Sequence, residues 1–180
     1  MVYIRNMAVL LIVIAGLALT GVYLYNSLVT LKNRVEGAQA DIEALLQKRY
    51  DLIVSVAEAV KRYLTHEKDL LKEIAELRTR GSGIAEIPKM DAVVKGIFAV
   101  AEAYPELRSA EEMTALIQSL REVERDLADA RRYYNAVLRD YNTKKEMFPW
   151  NLLSGRFPDF EYIDTPAEEE KRPEVGKILE

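Results

Sequence analysis

The sequence predicts an all-α membrane protein: a single N-terminal transmembrane helix leading into an antiparallel helical bundle of three main helices and a short fourth piece. Three observations carry that expectation. They are a long uncharged N-terminal run, apolar positions that advance by threes and fours through much of the remaining chain, and glycine and proline punctuation between those runs.

From Asn6 to Leu31, "NMAVLLIVIAGLALTGVYLYNSLVTL", no side chain is charged, and Met7 to Tyr25 is almost wholly apolar. As a helix that core spans roughly 28 Å, close to the ~30 Å thickness of a bilayer's hydrocarbon. Residues 1–26 are therefore the expected transmembrane anchor of a single-pass cell-membrane protein. Arg5 flanks one end, and Tyr23 and Tyr25 sit where an interfacial aromatic belt would lie. A cleaved signal peptide would have an apolar region of about 7 to 15 residues ending in a small-x-small site. This run is longer and ends "LTGVYLYN". Arg5 and the amino terminus balance Lys32 and Arg34, so the positive-inside rule leaves the side of the bundle undetermined.

Beyond the anchor, residues 27–163 read as the bundle. Leu28, Leu31, Val35, Ala38, Ile42, Leu45, Arg49, Leu52, Val56, Ala59 and Tyr63 form a heptad seam, widened by Leu46, Ile53 and Val60. No proline precedes Pro88, so one helix is expected from the membrane to about Thr79. "RGSGIAEIP" breaks it, with Gly81 as C-cap and Pro88 near the next helix start. A second helix follows over about Lys89 to Tyr104, carrying Val93, Val94, Ile97, Phe98 and Val100, and Pro105 ends it. Ser109 and Glu112 have the capping-box spacing. The third helix should then run to about Met147 on Met113, Leu116, Leu120, Val123, Leu127, Ala130, Tyr134, Val137 and Tyr141. "FPWNLLSG" suggests a short fourth piece. Residues 164–180, charged and poor in large apolar groups, read as an acidic disordered tail.

The helix lengths do not match. The first helix beyond the membrane would run about 75 to 80 Å and the third about 57 Å. Either the membrane-proximal seam or the distal end is then left bare, and a bare apolar stripe normally finds a partner. Leu28, Leu31, Val35, Ala38 and Ile42 are accordingly an expected oligomer seam, against a second copy or another membrane protein.

Composition narrows the chemistry. The net charge of −4 supplies no global field for a phosphate backbone, so nucleic acid is not an expected partner. With no cysteine and the single histidine His66, thiolate sites and multi-histidine metal sites are excluded within one chain. No metal, cofactor or catalytic residue is expected. Helical acids such as Glu58, Glu67, Glu102, Glu122 and Glu124 read as solvated faces with i,i+4 partners, Glu58 with Arg62 for example. The cluster Arg121, Arg125, Arg131, Arg132 and Arg139, interleaved with acids, reads as a solvent-facing salt-bridge surface. Arg49 differs because it stands on the seam between Leu45 and Leu52. Its head either snorkels to water or joins Tyr134, Tyr141 and a carboxylate in a buried polar network.

The blocks "YNSLVTLKNRVEGAQADIEALLQKRYDLI", "VKRYLTHEKDLL", "AEAYPELRSAEE", "ARRYYNAVLRDYN" and "FPWNLLSG" together resemble the LemA family, in that family's order. The family usually has a proline soon after "RYDLI", where this chain has Val54, which favours a straight first helix. The resemblance implies a single-pass membrane protein with a helical bundle domain and names no biochemical activity. The expected function is a membrane-anchored, self-associating scaffold or adaptor without catalytic activity, whose partners are the lipid bilayer and further copies or another membrane protein. A membrane-tethered ligand sensor or signalling module is the alternative.

Overall fold

The computed structural model is all-α, with no strand among the described residues, which are 2–63, 72, 75–76, 81–104 and 111–164. Helix α1 runs unbroken over Val2–Tyr63 and passes straight through Val54. Gly81 has φ of +88°, a left-handed conformation that favours glycine. A 3-10 turn at Ile84–Glu86 leads into α2, Ile87–Ala103, with Pro88 in its first turn, where proline costs no helical hydrogen bond. Helix α3, Glu111–Glu146, opens on Glu111 and Glu112 and closes on Lys144 and Lys145, charges that complement its dipole. A cis Phe148–Pro149 peptide and a 3-10 helix, Trp150–Arg156, supply the short fourth piece. The expected helix toward Thr79, the cap at Ser109 and the tail after Asp164 lie outside the described residues, apart from Lys72, Ala75 and Glu76, which are helical.

The chain divides into two compact units. One comprises Met1–Ala38 and Tyr133–Ile163, the other Gln39–Arg132 and Asp164–Glu180. In the first, side chains 3–23 of α1 are exposed throughout, whereas Leu28, Val35 and Ala38 are buried together with Tyr134, Val137, Leu138, Tyr141 and Phe157. The segment after the 3-10 helix lies along α3, held by side chains of that helix. Tyr134 Oη donates to Glu161 O at 2.9 Å, Tyr141 Oη to Pro158 O at 2.7 Å, and Asn135 exchanges two bonds with the backbone of Ile163. In the second unit Ile42, Leu46, Ile53, Val56 and Val60 of α1 are buried with Met90, Val93, Val94 and Ile97 of α2 and Met113, Ile117, Leu120, Val123 and Leu127 of α3.

One expectation is corrected here. The membrane-proximal seam is not bare: Leu28, Val35, Ala38 and Ile42 are buried by the chain itself and Leu31 is half-buried. The segment that follows α3 adds to the cover that the helices give, and its Phe157 is part of the first unit's core. The rest of the seam forms as a widened stripe: Arg49, Val56 and Ala59 are buried together with Leu46, Ile53 and Val60, and Leu45 and Leu52 at its edge are half-buried.

Candidate functional site

Polar groups converge in the second unit, around Arg49. Its place on the buried stripe of α1 leaves the side chain 1% exposed, and the guanidinium is met by one acid from α2 and one from α3. Arg49 Nη2 lies 2.7 Å from Asp91 Oδ1 of α2, and Arg49 Nε lies 2.5 Å from Glu124 Oε1 of α3. Arg131, also buried, brings its Nη2 to 4.0 Å from the same Asp91 oxygen. Arg49 Nη1 is buried with no hydrogen-bond partner. Beside this cluster is a cavity of about 220 Å³ lined by Arg49, Asp91, Lys95, Glu124 and Arg131 and by apolar Val94, Phe98, Leu127 and Ala128. Three cations thus face two carboxylates across a partly apolar wall.

The geometry explains why each acid is there. Ile87, Met90, Val94, Ile97 and Ala101 form the buried face of α2, and Asp91 falls on that face, four residues after Ile87 and three before Val94. Glu124 follows buried Val123 on α3. Both acids keep some exposure, so water shares the work of solvating them.

The expected network is only partly what forms. Arg49 is buried and paired with carboxylates, but Tyr134 and Tyr141 bond backbone carbonyls in the other unit. Burial raises the titration of both phenols above the ordinary tyrosine range, and the second causes, Glu161 beside Tyr134 and Asp159 beside Tyr141, act in the same direction. Arg131 was expected among solvent-facing arginines and is buried instead, because it lies four residues after Leu127 on the core stripe. Arg132 and Arg139 are exposed, and Arg132 pairs with Asp129.

Desolvation by burial holds Glu124 above the usual carboxylate range and outweighs the opposing pull of Arg49. The folded state therefore holds this proton more tightly than the unfolded chain. Its contribution to stability is full below the reference value of 4.5 and is lost as pH rises through the raised folded value. Glu124→Gln should flatten that decline. Melting temperatures of the two proteins in detergent, followed from about pH 4 to pH 8, should converge toward the variant's favour as pH rises. Parallel curves would show that Glu124 is not the group responsible.

Among the described residues no group of three or more histidine, cysteine or acidic side chains is placed to hold a metal ion. The model of the LemA family matches residues 38–176. Two similar proteins are magnetosome proteins MamQ 2 and MamQ 1 of Paramagnetospirillum magneticum, each 22% identical over 163 residues, covering 72% of this chain and 60% of theirs. Magnetosome protein MamQ of Magnetospirillum gryphiswaldense is 22% identical over the same span. The chain thus aligns with 60% of the length of the curated relatives it matches.

Proposed function

The chain belongs to the LemA family, and on that premise we propose that it is a membrane-anchored helical scaffold or adaptor, without catalytic activity, that holds a partner beside the bilayer. The observation that carries this reading is the exposed apolar stretch of α1. It is long and apolar enough to cross a membrane, and none of it is buried against the rest of the chain. A soluble fold would have covered it. Likeness to magnetosome proteins is in keeping with a membrane setting. The two carboxylates beside the cavity are each tied to Arg49, a pairing that supports packing between helices more directly than acid–base work.

Because Leu28, Val35, Ala38 and Ile42 are covered within one chain, self-association would use other surfaces. The test is the mass and composition of the complex released from native membranes in mild detergent. A fixed ratio of the chain to a second protein, or a whole-number multiple of the chain, supports the scaffold reading. A bare monomer overturns it. A version lacking residues 1–26 should no longer sediment with membranes, and its retention there would remove the anchor.

The cavity beside Arg49 favours a second reading, a membrane-tethered sensor of small carboxylates. An anion could take the free Nη1 donor while its body lies on Phe98, Val94 and Leu127. Titration with benzoate should raise the melting temperature by mass action and benzyl alcohol should not. Equal responses to the two would exclude an anion site.

A further inference from the structure

The first unit exposes apolar groups away from α1 as well. After α3 the chain turns through "MFPWNLLSGR", where Phe148 is 76% and Leu152 75% exposed and Met147 is also exposed. This is not a frayed end. Asn151 N donates to Met147 O at 2.9 Å, Leu152 N to Pro149 O at 3.2 Å, Phe157 N to Ser154 O at 3.1 Å, and the Ser154 hydroxyl to Asn151 O at 2.8 Å. An ordered turn is holding two large apolar side chains in the open, four residues apart in sequence.

Where the turn sits identifies what covers it. The ring of Phe157, one residue past the 3-10 helix, packs on Tyr25 with centroids 5.6 Å apart. Tyr25 is the last residue of the apolar run. Both belong to the same unit, so the turn stands at the level where the hydrocarbon should end. The side chains around it have the character of an interface. Lys144 Nζ lies 4.8 Å from the centre of the Trp150 ring, Trp150 is half-buried, and Arg156 is exposed. Tryptophan and basic side chains favour headgroup level, while phenylalanine and leucine favour the acyl chains beneath it.

We propose that residues 147–156 form a second, interfacial membrane contact. Phe148 and Leu152 enter the outer acyl region of the bilayer that α1 crosses, and Trp150, Lys144 and Arg156 remain among the headgroups. The inference rests on the anchor reading, because Tyr25 marks the interface only if residues 7–25 cross the bilayer. Its consequence is that the unit has two points of attachment, one through the bilayer and one on its surface. Two attachments fix an orientation that a single helix would leave free to swivel.

Trp150 is the chain's only tryptophan, so its fluorescence reports on the turn alone. The full chain would be reconstituted into phosphatidylcholine–phosphatidylglycerol vesicles containing lipids brominated near the headgroup or near the chain terminus. The expected result is quenching of Trp150 by the shallow label, weaker quenching by the deep one, and emission at shorter wavelength than in detergent. The double variant Phe148→Asp, Leu152→Asp should float with the vesicles through α1 and lose most of that quenching. Conservative Phe148→Leu should keep it. A wild-type chain that floats but is not quenched overturns the interfacial contact and spares the anchor. Failure to float overturns both. Protection of Trp150 that rises with protein-to-lipid ratio assigns the patch to a second copy and overturns the proposal equally.

Discussion

Replacing Arg49 by methionine is expected to lower stability by about 2 to 3 kcal/mol, even though methionine fills much of the same volume on an apolar stripe. The reason is what remains behind. Asp91 and Glu124 are held against the guanidinium at 2.7 and 2.5 Å, and without it two carboxylates face each other beside the cavity. Fully buried acids left this way cost about 3 to 5 kcal/mol. Both acids here retain partial exposure and can rehydrate, and Arg131 lies within reach of Asp91, so the lower figure applies. For a chain of this length the loss corresponds to a melting temperature lower by roughly 4 to 12 °C. The triple change Arg49→Met, Asp91→Asn, Glu124→Gln should recover part of it, since neither acid is then left charged without Arg49, while Arg131 stays buried and charged. Calorimetry of the three proteins in one detergent decides the matter. A single variant as stable as the parent would mean that Arg49 is solvated in the native state. A triple variant as unstable as the single would mean that the methylene stem, not the charge, matters.

The same cluster shows what periodicity can and cannot reveal. Arg49 was legible as an unusual group because it stands where α1 otherwise places leucine and valine, and a charge on an apolar stripe demands a partner. Asp91 carried the same signal, an acid among Met90, Val93 and Val94, but a stripe of one helix does not say which stripe it will face. Alternating charge signs suggest a solvated surface around Arg131, yet its side chain is buried. On a helix the angular position decides, and residue 131 follows Leu127 by one turn. Pro88 marked the start of α2, and the absence of earlier prolines the unbroken run of α1, since proline acts through the local backbone alone. The strip at residues 157–163 left no such mark. It has no regular secondary structure, and it is held by hydroxyl, amide and ammonium groups of α3 reaching its carbonyls, contacts that create no apolar repeat.

That strip is the ground for the other large effect, at Tyr141. The ring is fully buried, meets Phe160 edge-on with centroids 5.6 Å apart, and donates its hydroxyl to Pro158 O at 2.7 Å. Tyr141→Ala should cost about 3 to 5 kcal/mol, because an aromatic-sized void in a packed core is only partly relieved by relaxation. Tyr141→Phe keeps the ring and removes only the hydroxyl. Lys145 Nζ also reaches Pro158 O, at 3.3 Å, so the acceptor retains a donor and the loss should be near the low end for one hydrogen bond, about 0.5 to 1 kcal/mol. The two variants should also differ locally. With the ring gone, residues 157–163 keep Tyr134, Asn135 and Lys145 as attachments but lose the group that Phe160 packs on. Tryptic cleavage after Arg156 should then accelerate at temperatures where the helices remain folded by circular dichroism. If cleavage and unfolding accelerate together in Tyr141→Ala, the strip is part of one cooperative core with α3. If Tyr141→Phe loses as much as Tyr141→Ala, the hydroxyl and not the packed ring holds the strip in place.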